Sequence, residues 1–473
     1  MFIKKYGSRA AGLSLAAIVL LAVQPLSAQT SSESARLEKL ERAVEQLQER
    51  NAELEQEVKS LKKQTAVAPK VDPSGNKKPQ VASDGKTYVE KNVATEEKKP
   101  VYVFPAGPEF KLTLGGFIHV NFEDGAVDAF QGRFPGGPNE VNDRFRVRRA
   151  RISLIGEFAE NFDFKIEGEF EQSDGISSNR TAFSGTDIFV NWHKFPEANL
   201  KAGQYKAPFG LEQLTSDTSI FTIARTLPTD AITPDRQIGV QIWGKPFTNL
   251  WPQEKDLVTY YAGIFNGKGR NISVNDNNNF MYVGRLELLP WQGKVLGRDS
   301  SLKLGADILN SRDNAGVNIS PAGNLLVNAD GSLTSYILPS AGERTAWSLD
   351  AWLNIGPFDL IGEYLSENVD GRTVAGQPPT FADFNPNGWY VQGSYFIIPK
   401  KLQAVVKWES LNPGQVADDK VHSITAGLNY YIHGDSLKIM GNYIHTWSDF
   451  RAANPQFGAD EFDEVVLRLQ VVF

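Results

Sequence analysis

Residues 143–154 read DRFRVRRARISL, in which Arg144, Arg146, Arg148, Arg149 and Arg151 fall within eight positions and run into an apolar alternation. A guanidinium is planar, permanently charged and carries a fork of N–H donors that fits phosphate or carboxylate oxygens. Such a run can grip nucleic acid, lie along a solvated edge, or line a pore. The chain carries 56 acidic against 49 basic residues, a formal net charge of −7. A general nucleic-acid binder draws its affinity from excess basic charge, so that class is set aside.

Other chemistry is sparse. The five histidines, His119, His193, His422, His433 and His445, stand in no metal-ligand spacing, and neither a nucleophile elbow nor a phosphate loop is present. A lipid-facing serine–histidine pair, His445 with Ser423 or Ser394, is the one hydrolytic arrangement the strand pattern would allow. No catalytic residue, metal or cofactor is expected. With no cysteine in its 473 residues, the chain has no disulfide and no thiolate site, which suits an exported protein that folds without an oxidant.

The N-terminus indicates export. Residues 1–28 place Lys4, Lys5 and Arg9 before an apolar run to about Val23 and a small-residue Leu-Ser-Ala site, the pattern of a secretory signal peptide. Residues 29–64 follow with a strict 3,4 repeat. Leu37, Val44, Asn51 and Val58 fall at a, and Leu40, Leu47, Leu54 and Leu61 at d, which predicts a parallel oligomerising coiled coil. Asn51 would fix its register, and Arg50–Glu55 and Glu57–Lys62 supply attractive flanking pairs. Residues 65–109, rich in Pro, Lys, Glu and Ser, read as a flexible linker.

From 110 to 473 the apolar period changes to two. Runs such as KLTLGGFIHVNF, DFKIEGEF, NLKAGQY and EVVLRLQVVF give about 16 candidate strands. Short turns (AENF, FPEAN, GPF, IPKK, HGDS) alternate with long polar segments at 124–142, 311–342 and 369–387. That alternation predicts an all-β transmembrane barrel of antiparallel strands in an outer membrane, surrounded by lipid. Trp192, Trp389, Tyr390, Trp408 and Trp447, near strand ends, would form its interfacial girdle.

Parity then assigns faces. With Ile152 and Leu154 toward lipid, Arg149, Arg151, Ser153 and Glu157 face the lumen, and Arg144, Arg146 and Arg148 fall on the lipid side above the bilayer unless a bulge intervenes. Asp163, Lys165, Glu167, Glu169 and Glu171 line the next strand inside. Arg285, Glu287, Lys303, Asp307, Lys407, Glu409, Lys438 and Arg468 are also assigned to the lumen. A wall of both signs suits small hydrophilic solutes, with guanidinium groups available for anions.

The stretch GQYKAPFGLEQLTS at 203–216, with the arginine run and DRQIGVQIWG at 235–244, resembles the phosphate-selective porin O and P family over roughly 110–473. The resemblance implies a homotrimer of 16-stranded outer-membrane porins, some carrying an N-terminal coiled coil. It also implies a constriction loop after the fifth strand, here about 206–236. In that segment Lys206, Arg225 and Arg236 stand against Glu212, Asp217, Asp230 and Asp235, so phosphate-selective and mixed pores both remain open. The anion-interacting set is Arg149, Arg151, Lys165, Lys206, Arg225, Arg236, Arg285 and Lys303. A second function, tethering membrane to cell wall through a periplasmic coil, rests on the heptads and the lysine-bearing linker.

Overall fold

The computed structural model describes residues 102–105, 110–138, 140–170, 183–320 and 323–473. The expected signal peptide, the coiled-coil heptads and the linker apart from 102–105 lie outside these residues, as does Glu171.

Sixteen strands form the wall: β1 Phe110–Gly125, β2 Arg144–Phe158, β3 Phe162–Glu169, β4 Ser184–Phe195, β5 Ala198–Lys206, β6 Arg236–Gly244, β7 Val258–Phe265 and β8 Met281–Val295. They continue with β9 Arg298–Asp313, β10 Gly342–Ile355, β11 Phe358–Gly371, β12 Asn387–Ile398, β13 Leu402–Asn412, β14 Val421–His433, β15 Leu437–Ser448 and β16 Glu461–Val472. Each pairs antiparallel with the next, and β16 returns to β1 from Glu464↔Gly125 to Val472↔Phe117. The barrel is closed, which removes the unpaired edges that lipid cannot satisfy.

The seam shows how tightly the closure is made. Gly116 exchanges backbone hydrogen bonds of 2.9 and 3.0 Å with Phe473. A Cβ at Gly116 would lie 2.3 Å from the Arg151 carbonyl oxygen, so a side chain there would force β1 and β2 apart. Beyond Phe473, Tyr102–Pro105 pairs with Lys111–Leu114 and covers the remaining edge of β1. These four residues, within the segment read as a linker, are therefore a strand.

Alternation sorts the faces as the pattern predicts. On β16, Val465, Leu467 and Leu469 are exposed outward, and Val466, Arg468 and Gln470 are buried inside. Among the described residues no helix is long and apolar enough to cross a membrane, so strands alone supply the apolar belt. The girdle needs one correction. Trp389 and Trp408 meet edge to face at 5.2 Å on the outside, but Tyr390 is buried in the lumen. Neighbours on a strand point to opposite faces, so Trp389 and Tyr390 cannot share one.

The arginine strand needs another. The β1–β2 register shifts between His119↔Arg149 and Val120↔Val147, leaving Arg148 as an extra residue in a bulge. The bulge resets parity, so Arg144 and Arg146 face inward with Arg149 and Arg151. Phe145, 80% exposed, and Val147 take the lipid side. The signal was in the sequence: apolar residues switch from odd positions (145, 147) to even ones (152, 154) within the run.

The short turns gather at one end of the barrel and the long loops at the other. Residues 314–341 contain a hairpin, Leu326–Val327 with Leu333–Thr334, absent from the sequence expectation. Phe134, Ile319, Leu325, Leu333, Tyr336, Leu338 and Phe384 join a buried apolar cluster that roofs the long-loop mouth. Arg451 ties this roof together. Its guanidinium donates to the Asp330 carbonyl (3.1 Å) and carboxylate (3.2 Å) and to the Pro135 carbonyl (3.3 Å). It also lies 4.9 Å from the Phe134 ring centroid, which stacks on Phe462.

Replacing Arg451 with Ala removes charge-assisted hydrogen bonds and a cation–π contact at once, about 2–4 kcal/mol of local stability. Amide exchange in 126–138 and 323–338 should accelerate at least tenfold while the strands stay protected. Unchanged exchange in those loops would show that the apolar cluster holds the roof alone.

Candidate solute pathway at the inward-folded loop

The connection from β5 to β6, residues 207–235, folds into the barrel, as the resemblance implied for about 206–236. Gly210, at φ 82°, begins the turn, and a Cβ there would meet the Thr233 methyl at 2.8 Å. Two short helices follow, α1 Leu211–Leu214 and α2 Leu227–Ile232. At α2, Thr226 accepts the Thr229 N–H, and Pro228 occupies the first turn, where its missing N–H costs nothing.

Irregular backbone at this depth survives only if its polar groups find partners. The far wall provides them. Glu363 on β11 accepts the N–H groups of Leu211 (2.7 Å) and Glu212 (3.1 Å), and Asp307 on β9 accepts that of Gly210 (3.0 Å). Asn442 on β15 accepts the Ile223 N–H at 2.7 Å. Lys438 and Gln470 donate to the Thr218 carbonyl at 2.9 and 3.0 Å, and Asn429 to that of Phe221 at 2.8 Å. The loop is thus bonded across the lumen.

Most of the cations expected from the sequence converge where the loop leaves β5. Arg151 pairs with Glu169 (2.5 Å) and with Asp217 of the loop (2.7 Å). Arg225 binds the other Asp217 oxygen (2.5 Å) and the Thr215 carbonyl (2.9 Å). Lys165 pairs with Glu167 (2.9 Å) and Asp187 (3.1 Å), and Arg236 with Asp187 (2.7 Å). Lys206 donates to the carbonyls of Gln213 (2.6 Å) and Thr215 (3.3 Å). Arg151 and Lys206 thus fasten the loop to the near wall, Arg225 braces the loop internally, and Lys165 and Arg236 crosslink the neighbouring wall strands. Arg149 is held more loosely, 3.4 Å from Asp217 and 3.9 Å from Glu169.

Two members of the expected set lie elsewhere. Arg285 is enclosed on the far wall by Glu287 (2.9 Å), Asp307 (2.8 Å) and Asp350 (2.8 Å). Lys303 is half-buried on β9, at the β8–β9 register shift between Leu302 and Leu304. Glu157 sits on the wall at the short-turn end, exposed, with Lys111 at 3.4 Å.

The bulge supplies what parity reasoning missed. Arg144 faces inward and pairs with Glu123 and Asp128, both at 2.7 Å. Arg146 lies 3.8 Å from the same carboxylates. Arg148 makes no ion pair among the described residues, and its buried Nη1 has no hydrogen-bond partner. Arg468, 4% exposed, bonds Asn121 (2.8 Å) and the Ile223 carbonyl (2.6 Å) and likewise meets no carboxylate among the described residues.

Within the loop, burial by itself would raise the Asp217 carboxyl, but Arg149, Arg225 and Arg151 hold it well below the usual carboxylate range. Asp230 behaves oppositely. Burial, with Glu212 nearby, pushes its carboxyl up to about 7 against the pull of Arg225, Arg148 and Arg149. A folded-state value raised above an unfolded value near 4 means that the folded loop binds a proton the unfolded chain releases. The Asp230 contribution to loop docking is therefore full below about pH 4, weakens to about pH 7 and is gone above that, whereas the Asp217 ion pairs contribute above about pH 4 and fade in stronger acid.

The ionised Asp230 would also add negative charge beside Arg148 and Arg149. Between about pH 5 and about pH 9 the reversal potential should drift toward cations. Asp230→Asn should flatten that drift; an unaltered titration in the variant would assign it to another group.

The wall also separates the hydrolytic pair. Ser394 and Ser423 are buried inside, with Ser423 2.9 Å from Thr446. His445 lies outside with its Nδ1 2.9 Å from Asp463.

A closed sixteen-stranded barrel with an apolar outer face and a loop bonded across its lumen is the architecture of an outer-membrane β-barrel channel. The profile of the phosphate-selective porin O and P family matches residues 124–473, and the chain belongs to that family. No curated protein matches the sequence. Among solved structures, the outer-membrane channel DcaP of Acinetobacter baumannii is 14% identical, with TM-score 0.50 over 78% of this chain and 99% of that one. A loop L8 deletion mutant of OmpT from Vibrio cholerae is 12% identical, with TM-score 0.50 over 77% of this chain and 100% of that one. At these identities the likeness is one of fold.

Proposed function

We propose that the chain is a passive diffusion channel for small hydrophilic solutes with a preference for anions, phosphate among them. The observation that carries this reading is the inward group Arg146, Arg148, Arg149 and Arg468. In it Arg148 and Arg468 have no carboxylate partner among the described residues. Guanidinium groups short of counter-charge attract anions into a narrow, low-dielectric passage, and their planar forks suit phosphate or carboxylate oxygens. In this reading Arg151, Lys206 and Arg225 hold the loop at its position, and Lys165 and Arg236 are neutralised within the wall, rather than meet the solute.

The test is single-channel conductance in planar bilayers with a salt gradient, first in chloride and then in phosphate. Stepwise conductance with an anionic reversal potential is expected. A cation-selective reversal potential would overturn the anion preference, and the absence of steps would overturn the channel. Phosphate selectivity in particular requires that phosphate reduce chloride current at low concentration.

The family resemblance and the heptads at Leu37–Leu61 support a homotrimer with its coiled coil in the periplasm. The same heptads and the lysine-bearing linker favour a second role as a tether toward the cell wall. Deleting residues 29–109 separates the two: a channel keeps conducting, whereas a tether loses its attachment.

A further inference from the structure

The constriction loop and the roof of the long-loop mouth are packed into one body. Of residues 207–235, only Ser216, Ser219, Ala224 and Asp235 are half-buried and the rest are buried, so the loop presents no broad, water-lined face. Phe209, Leu227 and Ile232 share an apolar cluster with Ile319, Leu325 and Leu333 of the roof. The closest approach is at Gly323, where a Cβ would lie 2.4 Å from the Asp230 carbonyl group and 2.7 Å from the Asp230 Cβ. Only a residue without a side chain lets the roof rest on the backbone of α2.

The two helices of the constriction loop are held differently. The start of α1 is bonded to the far wall through Glu363 and Asp307. Among the described residues α2 has one hydrogen bond to the wall, from the Leu227 N–H to Glu409 at 3.3 Å, and otherwise rests on packing. Pro228 covers Gly388 of β12, where a Cβ would lie 2.7 Å from its ring, and the roof covers Asp230. Asp230 joins the two layers. Its backbone meets Gly323, while its carboxyl lies in the field of Arg148 and Arg149, two arginines of the proposed solute path. The roof in turn hangs from its neighbours by a few polar contacts. The Leu333 N–H donates to Gly132 (2.9 Å), Asn324 to the Gln131 carbonyl (2.8 Å) and Gln415 to the Leu325 carbonyl (2.8 Å), beside the Arg451 contacts to Asp330. Its hairpin pairs only two residues with two. Elements held this thinly open locally while the strands around them stay folded.

We propose that the roof and α2 form a two-layer gate, in which lifting the roof at Gly323 frees α2 to move away from Arg148 and Arg149 and widens the passage. α1 stays bonded to the far wall and acts as the fixed edge. Close-packed apolar interfaces shift between discrete arrangements rather than deform gradually, so the roof contacts break and re-form together. The inference rests on the channel reading and adds its regulation.

Gly323→Val drives a wedge between the layers. Amide exchange of the detergent-solubilised full chain should accelerate at least tenfold in 227–235 and stay unchanged in 211–214, and unit conductance in bilayers should rise at least twofold. The opposite state is made with a staple. Gly331→Cys with Phe450→Cys gives a chain without native cysteine its only two thiols, at positions whose Cβ atoms would lie 3.2 Å apart, within easy reach of a disulfide. Oxidised, this variant should show one low, quiet conductance level, and reduction of the same channels should raise it at least twofold, the reduced form being the control for both substitutions. Equal conductance before and after reduction, or α2 exchange unmoved by Gly323→Val, would overturn the gate. Wild-type current that ignores the staple removes this proposal alone. Accelerated α2 exchange with no current from any form removes the channel reading alone.

Discussion

Replacing Arg148 and Arg149 together with glutamate should turn the channel from anion to cation preference. Each substitution replaces a positive group with a negative one, so the inward group of Arg146, Arg148, Arg149 and Arg468 goes from four positive charges to two of each sign. The carboxylates already there, Glu123, Asp128, Glu169 and Asp217, then dominate the field. At an effective dielectric constant near 20, one unit charge at 4 Å is worth about 4 kcal/mol, far above thermal energy, so the sign of the local charge decides which ion enters. The reversal potential in a salt gradient should cross zero while the unit conductance stays within about twofold. Arg151→Glu is the informative contrast. Arg151 fastens Asp217 to the wall, so its loss should loosen the loop and raise conductance noise more than it alters selectivity. An unmoved reversal potential in the double variant would remove these residues from the solute path.

The second large effect is on stability. Arg285→Met should lower the resistance of the barrel to unfolding by about 3–5 kcal/mol, because it strands buried carboxylates without their counter-charge. Glu287, Asp307 and Asp350 all lie within 2.9 Å of that guanidinium. Asp307 also accepts the Gly210 N–H at the root of the constriction loop and a hydroxyl hydrogen bond from Ser348. The damage should therefore reach the loop. Unfolding in guanidinium, followed by the electrophoretic shift between folded and unfolded barrel, gives the midpoint, and conductance of the surviving channels reports the loop. Adding Asp307→Leu and Asp350→Leu to Arg285→Met should recover part of the lost stability, since an apolar trio avoids the desolvation penalty. A midpoint unchanged in the single variant would mean that solvent reaches these carboxylates.

How much was legible beforehand follows from the range of the interactions concerned. A strand's two faces are a property of neighbouring residues, so Val465, Leu467 and Leu469 against Arg468 and Gln470 could be assigned from period alone. The loop expected at about 206–236 came from the family resemblance carried by the 203–216 stretch, and residues 207–235 do fold inward. Tyr390 went to the wrong face because the girdle was read from composition rather than from the alternation beside it. Arg144 and Arg146 did so because a bulge adds one residue, and parity reasoning carries such an offset to every residue beyond it.

The partners of the lumen charges were beyond any local reading. Glu363 holds Leu211 across 152 positions, and Lys438 reaches Thr218 across 220. Sequence could name Arg151, Lys165, Arg225, Arg236 and Arg285 as inward cations. It could not say that each is already neutralised while Arg148 and Arg468 are not. The sequence by itself determined the approximate strand number and most of the two faces, because these follow from backbone alternation and turn chemistry within a few residues, whereas the inward loop was expected only from the family resemblance. Only the tertiary structure decided which charges remain available to a solute and how Arg451 binds the roof. Those depend on barrel closure, which brings together groups hundreds of positions apart.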